Sequence, residues 1–175
     1  MKKVSMAAPQ SLLDELLGAW AYTRQGVIAE VRNLPDTLAD FRPTPQNRTV
    51  AELALHIVES GLMMSGELSR ADGNFRRQSY AAFAKEYAVR PSRRRGRRDL
   101  LTLLKDTHAR GEKQIRGAGE VRMLQQIVQF NGEQATRLSW MHHGIAHEEY
   151  HRGQLALYAR LAGEVPALTK LIMGD

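Results

Sequence analysis

Cysteine is missing from all 175 residues. Its absence excludes disulfides, thiolate metal sites and a cysteine nucleophile, and it suits a reducing cytoplasm. Long apolar runs are also missing: none approaches the ~18 consecutive residues of a membrane span. The opening MKKVSMAAPQ carries two lysines with no apolar stretch of ~7–15 residues behind them, so it does not read as a secretory leader. A cytoplasmic protein with no membrane partner is the expectation. No alternating strand pattern offers an edge on which an extended peptide could pair. The length matches the ~100–200 residues of one domain, so residues 1–175 are read as a single domain. Such a chain buries a core without needing a structural metal.

The formal charge of +6 is a local feature. Arg90 to Arg98 holds six arginines and no acid; the remaining 19 basic residues balance 19 acidic ones. A solvated loop is the first reading of this cluster, anion or substrate binding the second, and nucleic-acid binding the third. No aromatic residue interleaves the arginines, which argues against stacking on single strands.

Six prolines, at 9, 35, 43, 45, 91 and 166, mark boundaries between segments of helical periodicity. A first helix is predicted over Ser11 to Arg32, with Leu13, Leu16 or Leu17, Trp20, Val27 and Val31 on one face. A second starts at the capping box Thr49-Val50-Ala51-Glu52 and runs to about Arg70. A short one covers Tyr80 to Ala88, and a third long one Asp99 to Gln114, with Leu100, Leu103, Leu104 and Thr107 inward. Gly117 to Phe130 is open between a loop, a strand pair and a bent helix entry. The last long helix spans Gln134 to Ala162, closed by Gly163 with Pro166 behind it. Four long amphipathic helices make an all-α four-helix bundle, with connections too long to dictate its order.

The histidines carry the chemistry. They stand at 56, 108, 142, 143, 147 and 151. Four residues of helix turn ~400° and rise ~6 Å, so His147 and His151 can reach one point. They share a stripe with Trp140, Tyr158 and Leu161, read as inward. His56, three residues after Leu53 and four before Ser60, also faces inward. Taken singly it reads first as a hydrogen-bonded core histidine. Taken together, His56, His147 and His151 form a three-nitrogen metal site that leaves positions for water or substrate. Buried imidazoles without partners are costly, and a shared cation removes that cost. Glu52, Ser60 and Gln154 are candidates to orient the rings, each with a plain packing or surface role as the first reading. His143 is read as pocket or core rather than as a fourth ligand, and His108 and His142 as ordinary residues. Gly153 is expected to admit a neighbouring helix closely. Metal affinity should fall as pH drops through ~6.5, where free histidine titrates.

His147-Glu148-Glu149-Tyr150-His151 also fits H-E-x-x-H, in which the glutamate is the general base of a metallopeptidase. The longer form of that motif needs glycine at 154 and histidine at 157, where Gln154 and Leu157 stand. Few residues follow that could supply another third ligand.

Two blocks carry a family resemblance. One is His147, His151-Arg152-Gly153-Gln154-Leu155, Tyr158-Ala159-Arg160-Leu161-Ala162-Gly163 and Val165-Pro166. The other is Phe41-Arg42-Pro43, Thr49-Val50-Ala51-Glu52-Leu53 and His56. The chain resembles the DinB-like (YfiT-like) family of metal-binding four-helix bundles. Many relatives carry another histidine where Tyr150 stands. The resemblance implies an up-down-down-up bundle and a homodimer. It also implies one divalent transition metal, nickel, zinc or iron, on His56, His147 and His151. The activity it implies is a thiol-dependent transferase or related hydrolase acting on a small molecule with a low-molecular-weight thiol. A catalytically silent metal-binding stress-response module is the alternative.

Overall fold

The computed structural model describes residues 10–89 and 96–174. Helix α1 is Leu12–Asn33, capped by the Ser11 side chain, which accepts from the Asp14 N–H. Helix α2 is Val50–Ser69; its capping box forms as predicted, Thr49 and Glu52 each accepting from the other's backbone N–H. Helix α3 is Tyr80–Glu86 and α4 is Arg97–Ala118. A single turn, α5, covers Glu120–Met123. Strands β1, Gln126–Val128, and β2, Gln134–Thr136, then form an antiparallel pair with Ile127 opposite Ala135. Helix α6 is Arg137–Leu161, and α7 is Ala167–Met173.

The segment left open around Gly117 to Phe130 is thus a helical turn followed by the first strand of a hairpin. Its signal lies in Asn131-Gly132, a turn pair beside β-branched Ile127 and Val128; Gly132 takes φ +90°. Helix α7 follows Pro166, which has no N–H to lose at a helix start.

The order of the bundle follows from which residues meet. Asp14 pairs with Arg116, and Arg24 reaches Leu104, so α4 runs against α1. His56 meets His147 and His151, while the Leu68 carbonyl meets Arg137, so α6 runs against α2. Trp20 meets Glu148, and Glu30 caps α7 just beyond α6, so α6 runs with α1. The bundle is up-down-down-up, as the family resemblance implies.

Two apolar clusters fill it. One gathers Val31, Leu53, Ile57, Leu104 and Leu155; the other Leu16, Leu68, Phe75, Ile115 and Met141. Between them lies a buried polar layer that sequence reasoning missed. Arg24 and Glu148, each 2% exposed, form an ion pair. Trp20 Nε1 donates to the same carboxylate at 2.7 Å, and Arg24 also donates to the Leu104 carbonyl at 2.9 Å.

Close approach of helices relies on Gly111, where a Cβ would stand 2.5 Å from the Trp20 ring, and on Gly144, against Met64. Gly153, expected in that role, is exposed with open space around it. Leu161, expected inward, is 57% exposed at the end of α6. Of the α4 residues read as inward, Leu100 and Leu104 are buried, while Leu103 and Thr107 are half-buried.

Candidate metal centre

Helices α2 and α6 bring the three histidines together. His56 Nε2 lies 3.3 Å from His147 Nε2, and His151 Nε2 lies 3.0 Å from the same atom. Among the described residues, these are the one group of three or more histidine or carboxylate side chains placed to hold a metal ion, their ligand atoms all within 4.8 Å of one another. Antiparallel α2 and α6 place His56 between two successive turns of α6. The four-residue step then stacks His147 and His151 beside it.

Burial keeps the rings neutral. Desolvation is the main cause at all three, and the Arg48 charge adds to it. His56 falls to about 3, His147 to about 4, and His151 is lowered as well. Proton competition for a bound ion should therefore set in below the ~6.5 of free histidine.

His151 Nδ1 stands 2.8 Å from Gln154 Oε1. An amide oxygen accepts, so the ring carries its proton on Nδ1 and turns the Nε2 lone pair to the cluster. Of the candidates for orienting a ring, Gln154 takes the role. Glu52 is committed to the capping box, and Ser60 lines a small cavity beside His56.

This donor set fits a transition metal. Nitrogens held ~2.0–2.1 Å from a tetrahedral ion stand ~3.3 Å apart, close to the separation of His147 from each of the other two, and all three ligand atoms lie within 4.8 Å of one another. Lone pairs aimed at one point repel, and a shared cation turns that repulsion into coordination.

His143 falls outside the cluster. It is exposed and stacks on Trp140, with ring centroids 4.4 Å apart, so it is neither pocket nor core. His142 is exposed and His108 packs on Trp20, both away from the centre. Tyr150 is exposed against the outer side of His151.

Glu148 decides the peptidase reading. A general base must be free to face the metal, but this carboxylate is turned ~100° around α6 from His147 and is held by Arg24 and Trp20. Its neighbour Glu149 pairs with Arg152. The H-E-x-x-H pattern here is a coincidence of spacing.

The cavity beside His56 has a volume of about 40 Å³ and lies between α2 and α3, with Glu59, Met63, Phe83 and Tyr87 in its wall. Glu59 accepts a hydrogen bond from the Val89 N–H. Neither Arg48 nor Glu59 stood out in the sequence. Arg48 sits just before the capping box, and Glu59 lies one turn after His56.

The DinB superfamily profile matches residues 19–155, spanning α1 to α6. The chain belongs to the DinB superfamily. Solved structures agree on the fold. A DinB-like protein from Bacillus subtilis, YjoA, is 17% identical with a TM-score of 0.66, over 86% of this chain and 93% of that one. YfiT from Bacillus subtilis is 15% identical with a TM-score of 0.66, over 94% of both chains. It is described as a probable metal-dependent hydrolase with an unusual four-helix bundle topology. No curated protein matches the chain. At these identities the likeness speaks for the fold alone; the histidine geometry is this chain's own.

The arginine cluster divides. Arg90 to Arg95 lie outside the described residues. Arg97 pairs with Asp36 at 2.9 Å and donates to the carbonyls of Arg32 and Leu34. It fastens the start of α4 to the end of α1.

Proposed function

We propose that His56, His147 and His151 hold one divalent transition metal, nickel, zinc or iron, in an enzyme of the thiol-dependent transferase or hydrolase class. The observation that carries this reading is the convergence of three neutral Nε2 atoms from two helices on one point. YfiT, of the same fold and described as metal-dependent, supports it.

A bound divalent ion with free positions lowers the pKa of a water or thiol ligand toward neutrality. The protein's own part is to prepare the place. Burial holds the imidazoles unprotonated at neutral pH, so ligation needs no proton release from them. Gln154 fixes the His151 ring. Arg48 presents positive charge to all three rings, which favours an anionic thiol over a neutral one. Glu59 and Ser60 border the cavity beside His56, the carboxylate in place to accept a proton and the hydroxyl to form a hydrogen bond. That cavity admits a water or one small group, so the bulk of a substrate would rest outside it, near α3.

The family resemblance adds a homodimer to the proposal, and the cysteine-free composition a cytoplasmic setting. The competing reading is a metal-binding module without catalysis, favoured by the small size of the cavity. One assay separates them. Protein loaded in turn with nickel, zinc or iron is given a low-molecular-weight thiol and an aryl halide, and thiol consumption is followed. Catalysis should vanish in His147→Ala. In Arg48→Ala it should show a KM for the thiol raised several-fold with little change in kcat. Full occupancy with no turnover on thiol or ester substrates would favour the silent module.

A further inference from the structure

A second site lies on the other side of α1. Its outer face and α7 enclose a trough of about 900 Å³, with Ile28, Ala29, Leu168 and Leu171 among its apolar lining. A smaller basin of about 520 Å³ at the start of α4 shares Arg32 and Lys105 with it and adds Arg98 and Asp36, whose carboxylate is paired with Arg97. The two adjoin at Arg32 and Lys105, which line both, so the apolar trough ends at a cationic mouth. Between Tyr22 and Asn33 the trough follows α1 for ~16 Å at 1.5 Å per residue.

The charges are not neutralised from within. Arg32, Arg98 and Lys105 have no ion-pair or hydrogen-bond partner for their side chains among the described residues. The one carboxylate in the trough, Glu30, is 1% exposed and spent elsewhere: it accepts from the N–H groups of Ala167 and Leu168 and caps α7. Lys170 is turned to Asn33. Exposed Leu168 and Leu171 sit opposite half-buried Ile28 and Ala29, so apolar surface flanks the trough on both sides. The trough's own volume, within the ~300–1,000 Å³ of small-molecule sites, its apolar walls and the few charges placed at its mouth mark a ligand site rather than a bare face.

We propose that this trough and its mouth bind a single-chain amphiphile with an acidic head. The head lies between Arg32, Arg98 and Lys105, and the chain lies along Ile28, Ala29, Leu168 and Leu171. A phosphodiester polymer would leave the apolar trough unused. A second copy of the chain would bring the same cations against these.

The test is calorimetry of the metal-loaded full chain with dodecanoate below its micelle concentration. One equivalent per chain should bind. Arg32→Glu/Lys105→Glu should weaken binding tenfold or more, and Leu168→Ser/Leu171→Ser should do the same; the two variants touch different ends of the site. Dodecyltrimethylammonium should not bind saturably, and inorganic phosphate should not displace dodecanoate. His147→Ala should bind dodecanoate as the wild type does, which separates this site from the metal centre. Equal binding of the cationic amphiphile, displacement by phosphate alone, or unchanged affinity in both variants would overturn the proposal. So would sedimentation showing that Leu168→Ser/Leu171→Ser splits a dimer that takes up no dodecanoate.

Discussion

Glu148 and His147 are neighbours in the chain and serve different faces of the same helix. The ~100° between successive helical residues sends the imidazole toward α2 and the carboxylate into the buried layer with Arg24 and Trp20. Their variants should therefore differ in kind. Glu148→Gln leaves Arg24 buried without its counter-charge and should cost about 3–5 kcal/mol in urea unfolding, with metal stoichiometry unchanged in the folded fraction. Gln154→Leu frees the His151 ring and should weaken metal affinity about 10–100-fold, with stability of the metal-free protein nearly unchanged. Loss of metal in the first variant and none in the second would reverse these assignments.

At the scale of elements, glycines separate two effects that sequence leaves merged. Gly111 faces the Trp20 ring, so Gly111→Ala forces a side chain into filled space and should cost about 1–3 kcal/mol. Gly153 faces open space in mid-helix, so Gly153→Ala should gain about 0.5–1 kcal/mol from backbone entropy. Thermal unfolding of both variants checks the pair. The helices themselves were legible because amphipathic spacing and caps are local. Ser11, Thr49 and Gly163 mark real termini. The inward stripe of α6 was legible only in part: Tyr158 is buried, yet Leu161 runs past the end of the partner helices and is exposed. Arg24 with Glu148 was hidden for another reason. A charged residue on an apolar stripe looks misplaced until its partner, 124 positions away, is known.

At the scale of the whole molecule, the buried histidines link folding to pH. The folded chain holds His56 and His147 neutral down to about 3 and about 4. The unfolded chain protonates them near ~6.5. Below that pH the unfolded state binds more protons, so stability falls as pH falls. Metal-free protein should show a level Tm above pH 7 and a decline from ~6.5 toward 4, less steep in His56→Ala. A Tm unchanged between pH 7 and 5 would show that these rings are not desolvated as described.

The centre rests on a meeting of α2 and α6 that spacing foreshadowed and topology completed. His147 and His151 were fixed by a four-residue step; His56 joins them because the bundle sets α2 against α6. The most direct measurement is the metal content of untagged protein by elemental analysis, wild type beside His56→Ala, His147→Ala and His151→Ala. About one equivalent of a divalent transition metal per chain, lost largely in each variant that stays folded by circular dichroism, is the expected result. Full occupancy in the His56 and His147 variants, or a wild type that takes up no such metal when supplied with it, would contradict the centre.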